Sequence, residues 1–214
     1  MTLLPSGVEV RRADDAELER TVRLRWLWAC EYGETPGDSE SEFTAQAAGW
    51  AREHASTHMP HVAVTTNGAV VGMAWLALTE RVATTRSLNR WSGDLQSCYV
   101  LPEHRRQGIG AALVAVVLET AQERGLEHVT VHASERSVGL YARNGFRTSP
   151  RLLTRAKLVR DARGDGVEDG LRRVAGWGLR YDLVPVDADR DVSQRSQGAD
   201  DLADARPGEV LEMA

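Results

Sequence analysis

The stretch "YVLPEHRRQGIGAAL", Tyr99 to Leu113, begins as the end of a strand and finishes as the start of a helix. Between them lie Pro102, Arg105, Arg106 and two glycines, Gly108 and Gly110, one residue apart. A glycine-rich corner that opens a helix exposes amide N–H groups with no intrahelical partner. The helix dipole adds partial positive charge there, and the two together suit phosphate. Gly108 and Gly110 carry no Cβ, so a pyrophosphate can approach the backbone, with two arginines beside it. The spacing is not that of a P-loop, because no Gly-Lys-Ser/Thr follows. It also departs from the dinucleotide fingerprint, because Leu113 stands where a third glycine belongs. Phosphate is the reading, but the ligand stays open, and an ordinary first turn of a core helix fits the glycines equally well.

Upstream of this corner, "GVEVRRA" alternates as a first strand, with Asp14 and Asp15 placed to cap a helix over about 16–31. Leu18, Val22, Trp26 and Ala29 form that helix's apolar face. "YGETPGDSE" reads as a loop, and Ser39 or Ser41 caps a second helix running to about His54. Two β-rich runs flank Asn67-Gly68, the preferred pair for a type I′ hairpin. A polar loop over about 84–93 leads into the strand "DLQSCYV". Downstream, Ile109 to Arg124 has helical periodicity and Gly125 stands at its end. "HVTVHA" is a strand, "SVGLYARNG" a short helix, and "FRTSPRLLTRAKLV" a returning strand. The order β-α-α-β-β-β-α-β-α-β predicts one α/β domain over 1–160. A turn-rich extension over 161–186, with one added strand in "WGLRYDLVPV", and a disordered tail over 187–214 complete the expected organisation.

The tail from Asp187 carries eight acids and three arginines, which accounts for the whole net charge of -5. The rest is neutral, so no basic excess points to nucleic acid. No apolar run approaches the roughly 18 residues of a membrane helix, and the N-terminus has no signal-peptide pattern. Two cysteines, Cys30 and Cys98, suggest neither a disulfide framework nor a metal site, and a cytoplasmic setting is the expectation. His54, His58 and His61 lack companion ligands at metal spacing and are expected at the surface.

Arg105-x-x-Gly108-x-Gly110 after a strand ending in Val100 resembles the acyl-CoA motif of the GCN5-related N-acetyltransferases. "SERSVGLYARNGF", Ser134 to Phe146, resembles that family's second signature. The resemblance runs from about Asp94 to Phe146 and extends, less distinctly, back to Val8. It implies an α/β (α+β) fold with a mixed, mostly antiparallel sheet, a splayed strand pair that holds acyl-CoA, and acetyl transfer from acetyl-CoA to an amine by direct attack. The amides of Arg106, Gln107, Gly108, Ile109, Gly110 and Ala111 would hold the pyrophosphate, with Arg105 adding charge. Cys98, Tyr99 and Val100 would pair with the pantetheine, the Cys98 amide facing the thioester carbonyl as an oxyanion donor. Ser134 stands where many members have an asparagine.

The resemblance also makes Tyr141 the acid that protonates the leaving thiolate, a phenol with an ordinary pKa near 10. The base is open. Asp94 stands at the family's glutamate position, one methylene shorter, or else caps a turn after Ser92-Gly93; His132 is a second candidate. Trp26, Trp28, Tyr32, Trp75 and Trp91 are expected in part to line the acceptor cleft, and Glu31, Glu34, Asp38 and Glu40 form an acidic patch. The implied partners are acetyl-CoA as co-substrate and a small-molecule or peptide amine, with no metal, no nucleic acid and no membrane. Oligomeric state is open, homodimers being common in the family. The alternative reading is a non-catalytic acyl-CoA-binding sensor or interaction module of the same fold.

Overall fold

The alternating run at the N-terminus forms β2 (Glu9–Arg12), preceded by a two-residue edge strand β1 (Thr2–Leu3). The computed structural model describes residues 1–4, 6–34, 36–150 and 152. Met1–Ser149 is one unit, and Pro150–Ala214 a second. Phe146 to Pro150 forms no strand. The rest of the expected return strand, the 161–186 extension and the acidic tail lie outside the described residues, apart from Leu152.

Asp14 accepts the Glu17 N–H at 3.0 Å and opens a short 3-10 turn that runs into α1 (Leu18–Glu31). Ser39 is the cap of α2 (Glu40–Glu53), with Glu42 reaching back to the Ser39 amide at 3.0 Å, a reciprocal capping box. The expected hairpin joins β3 (His58–Val64) to β4 (Val70–Glu80). Its turn differs from the one expected. Gly68 is left-handed, Asn67 is not, and Gly68 N–H bonds Thr65 O at 2.8 Å while Thr65 N–H bonds Ala69 O at 2.9 Å. A three-residue loop closed by a left-handed glycine replaces the type I′ turn, which needs positive φ at both central residues.

β5 (Trp91–Val100) pairs antiparallel with β4 and is followed by α3 (Ile109–Glu123), β6 (Val129–Val131) and α4 (Val138–Arg143). The six strands lie in chain order, antiparallel except for the parallel β5–β6 pair that α3 bridges. That pair holds only from Gly93–Val129 to Leu95–Val131. From Gln96 to Val100 the outer edge of β5 has no strand neighbour among the described residues.

One core lies between the sheet and α3, built on Leu76, Leu95, Ile109, Leu113 and Val117, with Tyr141 of α4 in it. A second lies under α1 and α2, on Leu18, Val22, Leu24, Met73, Trp75 and Tyr99. His61 overturns its surface expectation: it is fully buried, and its Nε2 bonds Thr120 Oγ1 of α3 at 2.8 Å. His58 is half-buried, and His54 stacks on Trp50 with ring centroids 4.4 Å apart.

Candidate active site

The open edge of β5 is shaped by a bulge. Trp75 faces Gln96 and Met73 faces Tyr99, so two steps on β4 match three on β5. Ser97 absorbs the extra residue in the left-handed region at φ 54°. Beyond it, Leu101 N–H bonds Val71 O at 2.9 Å, so by antiparallel alternation Tyr99 also bonds toward β4. The backbone groups of Val100 and Cys98 therefore face the open edge. The half of β5 expected to pair with pantetheine is available for that pairing.

Tyr141 stands beside this edge. Its hydroxyl neighbours the Cys98 thiol, and its ring meets Phe146 edge-on at 5.5 Å. Burial, reinforced by the neighbouring thiol, raises the phenol above its ordinary pKa. Burial also pushes the Cys98 thiol up to about 12, more than the Tyr141 hydroxyl lowers it. Both stay protonated near neutrality. Tyr141 is thus equipped to give a proton, and the Cys98 thiol is a poor nucleophile.

The glycine corner has the geometry of an anion cradle. A 3-10 turn at Pro102–His104 leads to Arg106 at φ 62° and Gly108 at φ 81°. Gly108 is the helix cap with no side chain to satisfy the first amides, and Ala112 N–H, bonded to Gly108 O at 3.0 Å, is the first of the turn to be paired within the helix. The amides of Ile109, Gly110 and Ala111 are the helix's orphans. A Cβ on Gly110 would meet only Leu140, at an ordinary 3.6 Å. Packing does not demand glycine there, whereas close approach of a pyrophosphate does. These residues fit CoA.

Arg105 turns back onto the fold. Its guanidinium forks onto Glu31 of α1, Nη1 to Oε1 at 2.8 Å and Nη2 to Oε2 at 2.6 Å, and its Nε donates to Val100 O at 2.9 Å. In this geometry its charge is paired with a carboxylate. Tyr99 Oη donates to the same Glu31 at 2.9 Å. The Arg105 bonds, with the Tyr99 hydroxyl, hold Glu31 below its ordinary pKa. Glu31 was read only as part of an acidic patch, and Glu40 of that patch is paired with Arg23 at 2.7 Å.

Asp94 lies within β5, not in a turn cap. Gly93 is a strand residue whose Cβ would come within 2.9 Å of Leu76 and Leu126. The Asp94 carboxylate accepts from Gln96 Nε2 at 2.9 Å and Thr130 Oγ1 at 3.1 Å. Across the sheet the same row runs Thr130, Asp94, Ala77, His58, and the next holds Gln96 opposite Trp75. His132 is exposed, one residue past the end of β6. Ser134 is exposed and precedes the turn that leads into α4: its carbonyl accepts the Ser137 N–H at 2.9 Å and its Oγ lies 3.0 Å from Ser137 Oγ.

The aromatics divide. Trp75 is buried on the Asp94 face, 6.4 Å from Trp50. Trp28 packs against Tyr99 at 6.4 Å and against Tyr32 at 6.0 Å, and Tyr32 is exposed at the end of α1. Trp26 instead packs on Phe43 of α2 at 5.7 Å. Trp91 starts β5 opposite Glu80, on the alternation that carries Leu95 into the α3 core. It does not share the Asp94 face. Gln96 and Thr130 went unread, although Gln96 sits one strand period from Asp94.

The acetyltransferase (GNAT) family model matches residues 21–146. A glucosamine 6-phosphate N-acetyltransferase of Trypanosoma brucei brucei is 32% identical over 86 residues, 40% of this chain and 56% of that protein. The chain thus spans little more than half of this relative. Among solved structures, a Trypanosoma brucei acetyltransferase is 26% identical with a TM-score of 0.54, over 69% of this chain and 97% of that one. A predicted acetyltransferase of Clostridium acetobutylicum, solved with acetyl-CoA, shares the fold at 19% identity, with a TM-score of 0.56 over 69% and 94% of the two chains. Open bulged edge, glycine corner and tyrosine occur together within the matched span, and the chain belongs to the GNAT acetyltransferase family.

Proposed function

We propose that this protein moves an acetyl group from acetyl-CoA to a primary amine of a small molecule or peptide by direct attack in a ternary complex. The observation that carries the reading is the edge of β5 between the glycine corner and Tyr141, which has no strand neighbour among the described residues. CoA supplies an acetyl thioester. The amides of residues 106–111 hold its pyrophosphate, and Cys98 and Val100 offer backbone bonds to its pantetheine. The Cys98 N–H polarises the thioester carbonyl, a contribution on the order of 3 kcal/mol for a preorganised donor. The amine nitrogen bonds to the carbonyl carbon, the carbon–sulfur bond breaks, Tyr141 gives the thiolate its proton, and the proton lost from the acylated nitrogen restores the phenol.

Asp94 takes the ammonium proton. With the bulge at Ser97 absorbing one residue, about three strand steps of ~3.3 Å, roughly 10 Å, separate it from Cys98, so the proton travels through water. The exposed His132 has no such placement in the sheet. The test is thiol release from acetyl-CoA against a panel of an amino sugar phosphate, an aminoglycoside, an amino acid and a lysine peptide. Release with at least one amine is expected. Tight CoA binding without release from any would support the non-catalytic module instead.

A further inference from the structure

Three arginines are half-buried among the described residues: Arg11, Arg25 and Arg90. Arg11 forks onto Glu17 at 2.7 and 2.8 Å, and Arg90 onto Glu127 at 2.5 and 2.8 Å. Arg25 has no hydrogen bond or ion pair among the described residues. Its guanidinium lies over the Trp28 ring, 4.1 Å from the centroid. A guanidinium withdrawn from water without a counter-ion is unfavourable, and burial lowers its pKa while Glu34 opposes this only from a distance. A fork of five N–H donors set on an aromatic face suits a carboxylate or a phosphate.

Its place in the fold says what such an anion belongs to. Arg25, Trp28 and Tyr32 follow one another at helical spacing on α1. Trp28 packs on Tyr99, the residue after Cys98. α1 covers the sheet face that carries Asp94, Gln96 and Trp75. An acceptor here meets a carboxylate able to take its ammonium proton and an arginine with no ion pair among the described residues.

We infer that Arg25 reads an anionic group on the acceptor, so that the acceptor is an amine also bearing a phosphate or a carboxylate. This rests on the acetyltransferase reading. The full chain is assayed for thiol release with matched pairs: glucosamine 6-phosphate against glucosamine, and an α-amino acid against its carboxamide. The expected result is a kcat/KM preference of about 10- to 100-fold for the anionic member of one pair. Which pair shows it separates phosphate from carboxylate. Arg25→Gln collapses the ratio toward one through the KM of the anionic acceptor. Arg25→Lys, which keeps the charge but loses the fork, restores part of it. Circular dichroism verifies that both variants fold.

A wild-type preference for the neutral member of both pairs, or a ratio that Arg25→Gln leaves unchanged, overturns the inference. Titration calorimetry with glucose 6-phosphate and with lactate, which have no amine, reads the anion site without turnover. Binding to the wild type that Arg25→Gln abolishes supports the site, even if no amine of the panel is acetylated and the transferase reading falls. Failure of both anions to bind a chain that still binds CoA overturns it.

Discussion

At Tyr141 one hydroxyl joins the buried end of α4 to the bulged edge of β5. Its raised pKa keeps the proton in place throughout the neutral range, as an acid that serves a leaving thiolate requires. Tyr141→Phe keeps the ring and its contact with Phe146 and removes only that proton. We expect kcat to fall about 100-fold, the low end for general acid catalysis, with little change in the KM for acetyl-CoA. Steady-state kinetics at pH 7.5 give the answer, and an unchanged kcat would remove Tyr141 from the role. Tyr141 and the two glycines were legible because local motifs carry them. Arg105 was not, because its partner Glu31 lies 74 positions away and nothing in the sequence pairs them.

That pair matters at the scale of elements. Arg105 ties three pieces together: the C-terminal end of α1 through Glu31, the edge of β5 through Val100 O, and the glycine corner through its own backbone. The Tyr99 ring lies under its guanidinium, 5.4 Å away, and the Tyr99 hydroxyl donates to Glu31 Oε2, the same oxygen that Arg105 Nη2 holds. The tether sets where the amides of the glycine corner stand relative to the open edge. The side chains are 40% and 34% exposed, so the pair itself is worth at most about 1 kcal/mol of stability. Glu31→Gln is expected to raise the KM for acetyl-CoA about fivefold, with kcat changing less. Equal losses in kcat and KM, or none, would reduce the tether to a surface ion pair. The order of elements, the hairpin and the crossover helix were readable from alternation, turn residues and helical spacing. The bulge at Ser97 was not, because "DLQSCYV" holds no glycine to mark a left-handed residue.

Across the whole molecule, stability depends on a sheet packed on both faces, and His61 stands in the deeper of the two layers. Sequence reading places it at the surface with His54 and His58 because no companion ligand stands at metal spacing; only strand alternation in the folded sheet sends His61 under α3. Burial pushes its pKa down to about 4, outweighing the carbonyls of Met59 and Ala74 that favour the proton. Above pH 6.5 the histidine is neutral folded and unfolded, and it adds no pH dependence. Between pH 6.5 and 4 the unfolded chain takes up a proton that the native state refuses. Stability therefore falls by about 1.4 kcal/mol per pH unit across that window, on the order of 3 kcal/mol in all. His61→Gln keeps a donor for Thr120 and removes the titration. Urea unfolding of both proteins at pH 7.5, 6.5, 5.5 and 4.5 isolates the effect, because the carboxylates they share cancel in the difference. The wild type should lose stability relative to His61→Gln steadily below pH 6.5 and hold a constant difference above it. A difference flat from pH 7.5 to 4.5 would mean that His61 accepts a proton in the native state as readily as in the unfolded chain, and that its burial under α3 does not govern the acid stability of the fold.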